Sequence, residues 1–337
     1  MQAVLIAGGL GTRLRPLTFT RPKALLPLVN KPLLLHILER MPAQVDEVLV
    51  AANYRTEQLR EFIRRQDFGR RVSIVREKRP LGTGGCLKNL EDRLSGTFLA
   101  FNADIVCSLA VTDLLAAHRR NGGLGTIALW EVDDPSAYGV AALDGERIVK
   151  FIEKPPKGEA PSKFVNAGAY ALEPDVLAVM PGTGPASLER DVFPKIVRKG
   201  LYGFRFAGYW SDVGTLENFL RATEMLLREH GSEVSRQANV HAGANLVKPV
   251  AIAAGTTIHG DVGPAVAIGR ECVIGNARIA RSVLFGRASV EDRAVIDGSI
   301  VGEGCRIGPG ALVRDSILGD NVAVKAGEEL VGERVRR

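Results

Sequence analysis

Residues Val262 to Gly275 read Val-Gly-Pro-Ala-Val-Ala-Ile-Gly-Arg-Glu-Cys-Val-Ile-Gly. An aliphatic residue recurs every six positions in this stretch, at Val262, Ile268 and Ile274, and a glycine follows each one. A period of six matches neither the 3.6-residue period of a helix nor the two-residue period of a strand. It is typical of a parallel β-helix, in which the recurring aliphatic side chains point into a triangular core.

The same period extends on both sides of this stretch. Further aliphatic residues in the pattern are Ile252, Ile258, Val301, Ile307, Val313, Leu318 and Val324. About eighteen residues per coil over about ninety residues predict roughly five coils, enough for neighbouring coils to bury each other's faces. The spacing is too regular for a glycine-rich linker. We therefore predict that residues 233–337 form a β-helix domain of hexapeptide repeats.

Residues 1–232 have a different pattern, in which short apolar runs alternate with helical periodicity. The run Ala3–Ala7, the run Glu47–Asn53 and the run Thr97–Asp104 are separated by amphipathic segments. This alternation predicts an α/β domain with a Rossmann-like, mixed but mainly parallel sheet covered on both faces. Between about Thr126 and Leu172 the strand-like segments follow one another directly, which predicts an antiparallel insertion that adds a lid or a wall to the site.

A glycine-rich loop follows the first predicted strand. Residues 8–18 read Gly-Gly-Leu-Gly-Thr-Arg-Leu-Arg-Pro-Leu-Thr, and Arg-Pro-Lys follows at 21–23. Glycines let backbone amides approach phosphate oxygens, and Arg13 and Lys23 can add positive charge. The dinucleotide fingerprint fails because Leu14 occupies its third glycine position, and the Gly-Lys-Ser/Thr ending of a Walker loop is missing.

Composition limits the classes of partner. The chain has 337 residues and a net charge of +6, which favours anionic ligands such as nucleotides and sugar phosphates. Aromatic residues make up only 6%, which argues against nucleic acid. The sequence contains no run of about 18 apolar residues, so we predict no membrane-spanning helix. The four cysteines are scattered without a Cys-x-x-Cys spacing, so we expect a reduced cytoplasmic protein with buried thiols.

The loop at residues 8–23, followed by Leu26-Pro27, resembles the signature of the nucleotide-sugar pyrophosphorylases, which has the form GGxGTRLxPLT…PK. The domain order resembles the mannose-1-phosphate guanylyltransferase and glucose-1-phosphate nucleotidyltransferase branch of that family, which carries a C-terminal left-handed β-helix. The resemblance implies that Gly8, Gly9, Gly11 and Thr12 contact the triphosphate. It also implies that Arg13 and Lys23 stabilise the departing pyrophosphate.

The resemblance implies a base-reading segment at Leu81–Gly85, in which Gly82 and Thr83 bind the nucleotide. Glu77, four residues earlier, would face the base. Guanine presents two adjacent N–H donors that a carboxylate can accept as a pair, whereas uracil and thymine present one on that edge. Glu77 therefore favours GTP over UTP or dTTP.

The resemblance also implies a metal site and a sugar site. Asp104 and Asp212 would hold Mg²⁺, which prefers a few carboxylates together with water and phosphate oxygens. One departure from the family pattern is Ala103, where a glycine is common. On the sugar side the implied residues are Gly139, Glu153, Lys154 and Asn166, with Lys154 orienting the attacking phosphate.

These expectations combine into one reaction, in which a nucleoside triphosphate and a sugar 1-phosphate give a nucleotide sugar and pyrophosphate. The favoured substrates are GTP and mannose 1-phosphate. Three alternatives stay open. They are a glucose-1-phosphate uridylyl- or thymidylyltransferase, a bifunctional enzyme whose β-helix is an acyltransferase using His241 or His259, and a non-catalytic regulatory relative. We expect a homo-oligomer that assembles through the β-helix, with no nucleic acid or membrane partner.

Overall fold

The computed structural model describes residues 1–336. Its strands are β1 Gln2–Ile6, β2 Pro27–Leu28, β3 Lys31–Pro32, β4 Glu47–Ala52, β5 Arg71–Arg76, β6 Phe98–Asn102, β7 Ile105–Cys107, β8 Gly125–Glu131, β9 Gly139–Asp144, β10 Arg147–Glu153, β11 Phe164–Leu172, β12 Leu201–Arg205, β13 Trp210–Asp212, β14 Glu233–Val234, β15 Asn239–Val240, β16 Asn245–Leu246, β17 Val250–Ile252, β18 Thr257–Ile258, β19 Asp261–Val262, β20 Val266–Ile268, β21 Val273–Ile274, β22 Arg278–Ala280, β23 Val283–Leu284, β24 Ser289–Val290, β25 Val295–Asp297, β26 Ile300–Val301, β27 Arg306–Ile307, β28 Leu312–Arg314, β29 Ile317–Leu318, β30 Ala323–Val324, β31 Glu329–Val331 and β32 Arg334–Val335. Its α-helices are α1 Leu33–Leu38, α2 Thr56–Arg64, α3 Gly82–Lys88, α4 Val111–Asn121, α5 Phe193–Ile196 and α6 Leu216–His230.

The chain forms two compact units that are not continuous in sequence. The first contains Met1–Gly9 and His36–Trp210, and the second contains Leu10–Leu35 and the chain from Ser211 onward. The glycine-rich loop is therefore divided after Gly9, and most of it belongs to the unit that carries the repeats. The division into domains at residues 232 and 233 remains a prediction from the sequence.

The first unit is built on a nine-stranded sheet. Its strand order is β5-β4-β1-β6-β11-β8-β12-β10-β9, and the four strands from β5 to β6 are parallel. Strand β4 is buried along its whole length, as expected for a parallel strand covered on both faces. The rest of the sheet is mixed, with β11 antiparallel to both β6 and β8 and with β12 parallel to β8. The predicted α/β fold with a mixed sheet is confirmed.

The strand order reverses at β1, since β4 lies on one side of it and β6 on the other. Ligands of open α/β sheets bind beyond the carboxyl ends of the strands at such a switch point. Four loops leave the sheet at this edge, after β1, β4, β5 and β6. They carry Gly8, Asn53, Glu77 and Asp104 respectively.

The strands between residues 125 and 172 do not form a separate lid or wall. Strand β11 joins the central sheet between β6 and β8, while β10 and β9 extend its far edge. Nearly all of β11 is buried, because it pairs on both sides within the sheet. The antiparallel pairing of these strands agrees with the prediction, whereas their place within the main sheet was not predicted.

The second unit is a parallel β-helix with three sheets of seven, six and six strands. Neighbouring strands pair at offsets of 16 to 18 residues, as in Glu233 with Ala251, Val250 with Val266 and Ile300 with Ile317. The sheets therefore give six complete coils rather than about five. The difference arises because the first coil begins at β14, before the aliphatic repeat becomes regular, and because most coils are shorter than eighteen residues.

The coil interior contains a column of buried serines beside the aliphatic core. The backbone N–H of Ser299 donates to Oγ of Ser282, and the N–H of Ser316 donates to Oγ of Ser299, both at 3.1 Å. All three serines are fully buried. Each hydroxyl therefore satisfies an amide of the next coil that would otherwise lack a partner.

The segment Leu10–Leu35 packs on the β-helix within this second unit. Arg21 forms ion pairs with Asp320 at 2.6 Å and with Glu303 at 2.8 Å. Nδ2 of Asn30 donates to the carbonyl of Ile268 at 3.0 Å. Polar contacts between residues 238 to 299 positions apart therefore hold the segment in place.

Candidate active site

Glu77 follows β5 and is buried, with 3% of its surface exposed. A Cβ atom added at Gly8 would lie 2.9 Å from its Oε2. That oxygen has no hydrogen-bond partner among the described residues. Burial raises the pKa of Glu77, although a hydrogen bond from the Leu81 backbone acts in the opposite direction. A buried acceptor without a donor is costly, so this carboxyl suits a ligand that supplies N–H groups.

Asn53 is a second polar residue at this place, and sequence reasoning missed it. Its Oδ1 and Nδ2 are both buried without a partner in the described chain. The Nδ2 atom lies 3.8 Å from the position of a Cβ at Gly8. Its signal in the sequence is a polar residue immediately after the wholly buried strand β4. Asn53 and Glu77 thus offer a donor and acceptors beside Gly8.

The Leu81–Gly85 segment turns tightly against residues 184–188. The amides of Gly84 and Gly85 both donate to the carbonyl of Ala186, at 2.8 and 3.1 Å. A Cβ at Gly82, which has φ of +73°, would lie 2.5 Å from that carbonyl oxygen. Oγ1 of Thr83 donates to Glu189 at 2.7 Å and accepts from the amide of Leu188 at 2.8 Å. The Thr83 hydroxyl and the amides of Gly84 and Gly85 are therefore all engaged with the protein.

Gly139, Glu153 and Lys154 lie together where β9 begins and β10 ends. A Cβ at Gly139 would lie 2.9 Å from Oε2 of Glu153, so only glycine leaves that carboxylate in place. Nζ of Lys154 is 3.9 Å from Oε1 of Glu153. Burial raises the pKa of Glu153, the charge of Glu189 raises it further, and Lys154 lowers it.

Asn166 lies on β11 in a fixed orientation. Its Oδ1 accepts from the amide of Gly168, and its Nδ2 donates to the hydroxyl of Tyr170, both at 2.9 Å. Gly168 has φ of +75°, and a Cβ there would lie 2.8 Å from Nδ2 of Asn102. Oδ1 of Asn102 is buried without a partner among the described residues. Asn102 was not predicted, although it ends the apolar strand β6.

Asp104 lies between β6 and β7, beyond the carboxyl end of β6. The amide of the preceding Ala103 donates to the carbonyl of Ile6 at 3.1 Å, which ties this loop to the end of β1. The alanine is accommodated there and is 5% exposed. Asp104 is therefore placed at the switch-point edge of the sheet, as are Gly8 and Glu77.

The remaining predicted residues belong to the second unit. Gly11 has φ of +61° and precedes the 3₁₀ turn Thr12–Leu14, which carries Arg13. Lys23 begins another 3₁₀ turn. A Cβ at Gly11 would lie 2.8 Å from Cγ2 of Thr18 and 3.3 Å from Cβ of Lys23. The left-handed backbone and this close packing both require glycine.

Arg13 and Asp212 lie together beside Gly214. A Cβ added at Gly214 would lie 2.6 Å from Nη2 of Arg13 and 2.9 Å from Oδ2 of Asp212. Oδ1 of Asp212 accepts from Nδ2 of Asn218 at 2.5 Å. Gly214 and Asn218 were not predicted. Gly214 could have been suspected, since it lies two residues after Asp212 in the stretch Trp-Ser-Asp-Val-Gly at residues 210–214.

Each unit thus gathers its own part of the predicted set. The first brings together Gly8 with Glu77 and Gly139 with Glu153, and the second brings together Arg13 with Asp212. Gly9 follows Gly8, and a Cβ added there would meet nothing within 4 Å. Within residues 1–336 no cluster of three or more His, Cys, Asp or Glu side chains is placed to hold a metal ion.

Comparisons with known proteins identify the family of the chain. The family model described as "Nucleotidyl transferase" matches residues 2–229, and the "GMPPB C-terminal domain" matches residues 232–335. A mannose-1-phosphate guanyltransferase of Candida albicans is 37% identical over 343 residues, which cover 96% of this chain and 92% of that protein. A mannose-1-phosphate guanylyltransferase of Mycobacterium tuberculosis is also 37% identical, covering 86% of this chain and 81% of its own.

A solved structure shares the fold of part of the chain. It is a UDP-glucose pyrophosphorylase complexed with UDP-glucose, with 23% identity and a TM-score of 0.60. The match covers 68% of this chain and 98% of that one.

Across the described 336 residues, no helix is long and apolar enough to cross a bilayer.

Proposed function

The chain belongs to the nucleotidyl transferase family, and on that basis we propose that it transfers a guanylyl group from GTP to mannose 1-phosphate, giving GDP-mannose and pyrophosphate. Two relatives that cover most of the chain carry the matching names. The chain is thus a sugar-1-phosphate nucleotidylyltransferase. The relatives do not favour the glucose-1-phosphate, acyltransferase or non-catalytic alternatives. His241 and His259, the two histidines considered for the acyltransferase alternative, stack on each other with ring centroids 3.7 Å apart.

The reaction requires positioning and charge rather than a strong base. A phosphate oxygen of mannose 1-phosphate, already an anion, attacks the α-phosphorus of GTP. The new P–O bond forms as the bond to the β-phosphate oxygen breaks, and pyrophosphate leaves with that electron pair. In our proposal Arg13 and Lys23 offset the charge of the leaving group, while Lys154 orients the attacking phosphate. The amides of Gly8, Gly9, Gly11 and Thr12 would bind the triphosphate.

We assign Asp104 and Asp212 as the carboxylates that would hold Mg²⁺. The chemistry of the donors fits, because Mg²⁺ takes one or two carboxylates and fills its other positions with water and phosphate oxygens. The ion would supply charge neutralisation at the phosphates. Asn218 holds one oxygen of Asp212 and thereby leaves the other directed toward Gly214.

The observation that carries the choice of base is the buried Glu77 carboxyl, whose Oε2 lies beside Gly8 without a partner. Guanine supplies two N–H donors, which would satisfy this carboxyl and favour its ionised form. Uracil or thymine supplies one. An amide from Asn53 is available for an acceptor on the same ligand.

On the sugar side, Glu153 would accept from a hydroxyl, and Asn166 would donate to one. The Gly139 backbone would lie against the sugar ring. All four cysteines are free and buried, which supports a reducing compartment, and we place the reaction in the cytoplasm. Self-association through the β-helix completes the proposal.

A matrix of substrates tests it. Purified protein with Mg²⁺ is incubated with each of GTP, ATP, UTP, CTP and dTTP against mannose 1-phosphate and glucose 1-phosphate, and pyrophosphate release is measured. We expect the highest kcat/KM for GTP with mannose 1-phosphate. A preference for UTP or dTTP would overturn the role of Glu77, and release that continues without added or residual divalent cation would overturn the metal assignment.

A further inference from the structure

Glu189 occupies a junction in the first unit that the proposed reaction has not yet used. It lies in the π-helical turn Leu188–Val192, which Ser187 caps by accepting from the amide of Arg190. The same segment holds the base-reading turn, since the amide of Ala186 donates to the carbonyl of Leu81 at 2.9 Å. Glu189 thus belongs to the element against which that turn is fixed.

Several hydroxyl groups point to the Glu189 carboxylate. Oε2 accepts from Oγ1 of Thr83 and from Oγ of Ser187, both at 2.7 Å. Oε1 faces the hydroxyl of Tyr170 at 3.4 Å, a long contact. Because Thr83 also accepts from the Leu188 amide, its hydroxyl proton has to point toward Glu189. The contact with Thr83 is therefore a directed, charge-assisted hydrogen bond.

The same carboxylate reaches the sugar side through Tyr170. The Tyr170 ring is fully buried, and burial raises the pKa of its hydroxyl, so the group stays protonated. Its oxygen accepts from Nδ2 of Asn166, which leaves its proton for Glu189. Since Oδ1 of Asn166 accepts from Gly168, the free polar function of this amide is chiefly its second N–H. A connected series of hydrogen bonds of this kind fixes the orientation of every side chain in it.

Glu189 also acts on Glu153 by charge. Its negative charge raises the pKa of Glu153, after the larger effect of burial, while Lys154 and Arg190 lower it. One carboxylate therefore orients the Asn166 donor and raises the pKa of the Glu153 acceptor. These are the two side chains assigned to the sugar hydroxyls.

We propose that Glu189 is a positioning residue that couples the base-reading turn to the recognition of sugar hydroxyls, through Thr83 on one side and Tyr170 with Asn166 on the other. This proposal rests on the proposed function. It makes Glu189 a determinant of which sugar 1-phosphate is accepted, since Asn166 is set to donate to one hydroxyl and Glu153 to accept from another. The same residue also sets how tightly the turn holds the nucleotide.

The test uses Glu189→Gln, Tyr170→Phe and the double variant in the full chain, with KM and kcat measured for GTP and for mannose 1-phosphate. Tyr170→Phe breaks only the sugar branch, so we expect about a tenfold rise in the KM for mannose 1-phosphate and little change in the KM for GTP, the scale of losing one oriented hydrogen bond. Glu189→Gln should raise both KM values. The double variant should have no higher a KM for mannose 1-phosphate than Glu189→Gln alone, because both changes break the same series of hydrogen bonds.

The pH profile supplies a readout that loss of packing would not change. Without the charge of Glu189, the acid limb of kcat/KM for mannose 1-phosphate should move to lower pH by about half a unit or more, the scale of one nearby charge. The substrate phosphate titrates identically with every variant, so the difference between variants reports Glu153. Glu57→Gln, which removes an exposed carboxylate on α2, is the matched control and should retain wild-type KM values and an unshifted acid limb.

The outcomes separate the two proposals. If the wild type forms no GDP-mannose, the proposed function fails. If the wild type is active but the effects of Tyr170→Phe and Glu189→Gln on the KM for mannose 1-phosphate simply multiply, or the acid limb does not move, the coupling role of Glu189 is overturned while the function stands. Should Glu189→Gln fail to fold, Tyr170→Phe decides alone: equal changes in both KM values would overturn the proposal.

Discussion

At the scale of single residues, we expect the buried carboxyl of Glu77 to favour ligand binding and to lower the stability of the ligand-free protein. Its pKa is raised in the folded chain, mainly by burial. The folded chain therefore keeps a proton that the unfolded chain has released at pH values between the two pKa values. The stability contributed by this group is present below the unfolded pKa and is lost as pH rises through the folded pKa.

Glu77→Gln should consequently have opposite effects on the free and the bound protein. We expect its Tm without ligand to equal or exceed that of the wild type near pH 8 and the advantage to shrink toward pH 4. We expect the KM for GTP to rise about tenfold or more, since a charge-assisted hydrogen bond is lost. Tm measured across pH, together with GTP kinetics, checks both. Glu57→Gln, on the exposed side of α2, is the control and should change neither.

Lys23 and Asp104 are assigned to the leaving group and to the metal. Lys23→Ala and Asp104→Ala should each lower turnover by about a hundredfold or more, the scale of removing one preorganised charge-stabilising group. Pyrophosphate release at saturating substrate measures the effect. Near-wild-type release by either variant would remove that residue from the mechanism.

Sequence reasoning at this scale found residues within recognisable motifs and missed their supports. Gly8 and Glu77 were both predicted, and the structure places them beside each other. Glu189 was missed because no local pattern distinguishes a glutamate with a tertiary partner from one in solvent. Asn53 was missed because a polar residue after a strand is common, and its burial without a partner shows only in the structure. Their roles depend on contacts such as that between Glu189 and Thr83, 106 positions apart.

At the scale of elements, the turn between β13 and α6 packs against the side chain of Arg13, to which we assigned a role at the leaving group. A Cβ at Gly214 would lie 2.6 Å from Nη2 of Arg13. Gly214→Ala should therefore displace the guanidinium and lower kcat at least tenfold, with a much smaller effect on Tm, since part of an electrostatic stabilisation is lost. Gly243→Ala is the control, because a Cβ there meets nothing within 4 Å. Equal kcat values for the two variants would contradict the placement of Arg13.

The serine column stabilises the β-helix as an element. Ser299→Ala removes the acceptor of the Ser316 amide in a fully buried position. The free energy of unfolding should fall by about 1–3 kcal/mol, the cost of a buried group left without its partner. Urea denaturation measures the change. Ser289→Ala, on the outward side of β24, should stay within about 0.5 kcal/mol of wild type.

The elements could be predicted where the periodicity was strong. The six-residue repeat indicated the β-helix, because each coil imposes the same core position on the sequence. The sheet membership of β8 to β11 could not be obtained in this way, since the choice between a separate layer and an extended sheet depends on the partners of β11. Those partners, β6 and β8, lie far apart in the sequence.

At the scale of the whole molecule, the end coil of the β-helix presents unpaired strands. In the described chain β30, β31 and β32 each have a partner on one side only. Such edges favour association with another chain unless they are covered. We expect light scattering of the purified protein to give the mass of a homo-oligomer, and a strict monomer at micromolar concentration would refute assembly through this domain.

The ion pairs of Arg21 also have a consequence for biosynthesis. Its partners Glu303 and Asp320 are translated 282 and 299 residues after it. A nascent chain therefore lacks these two ion pairs until both acidic residues have left the ribosome. Termination before Glu303 would leave a polypeptide whose glycine-rich loop has neither anchor.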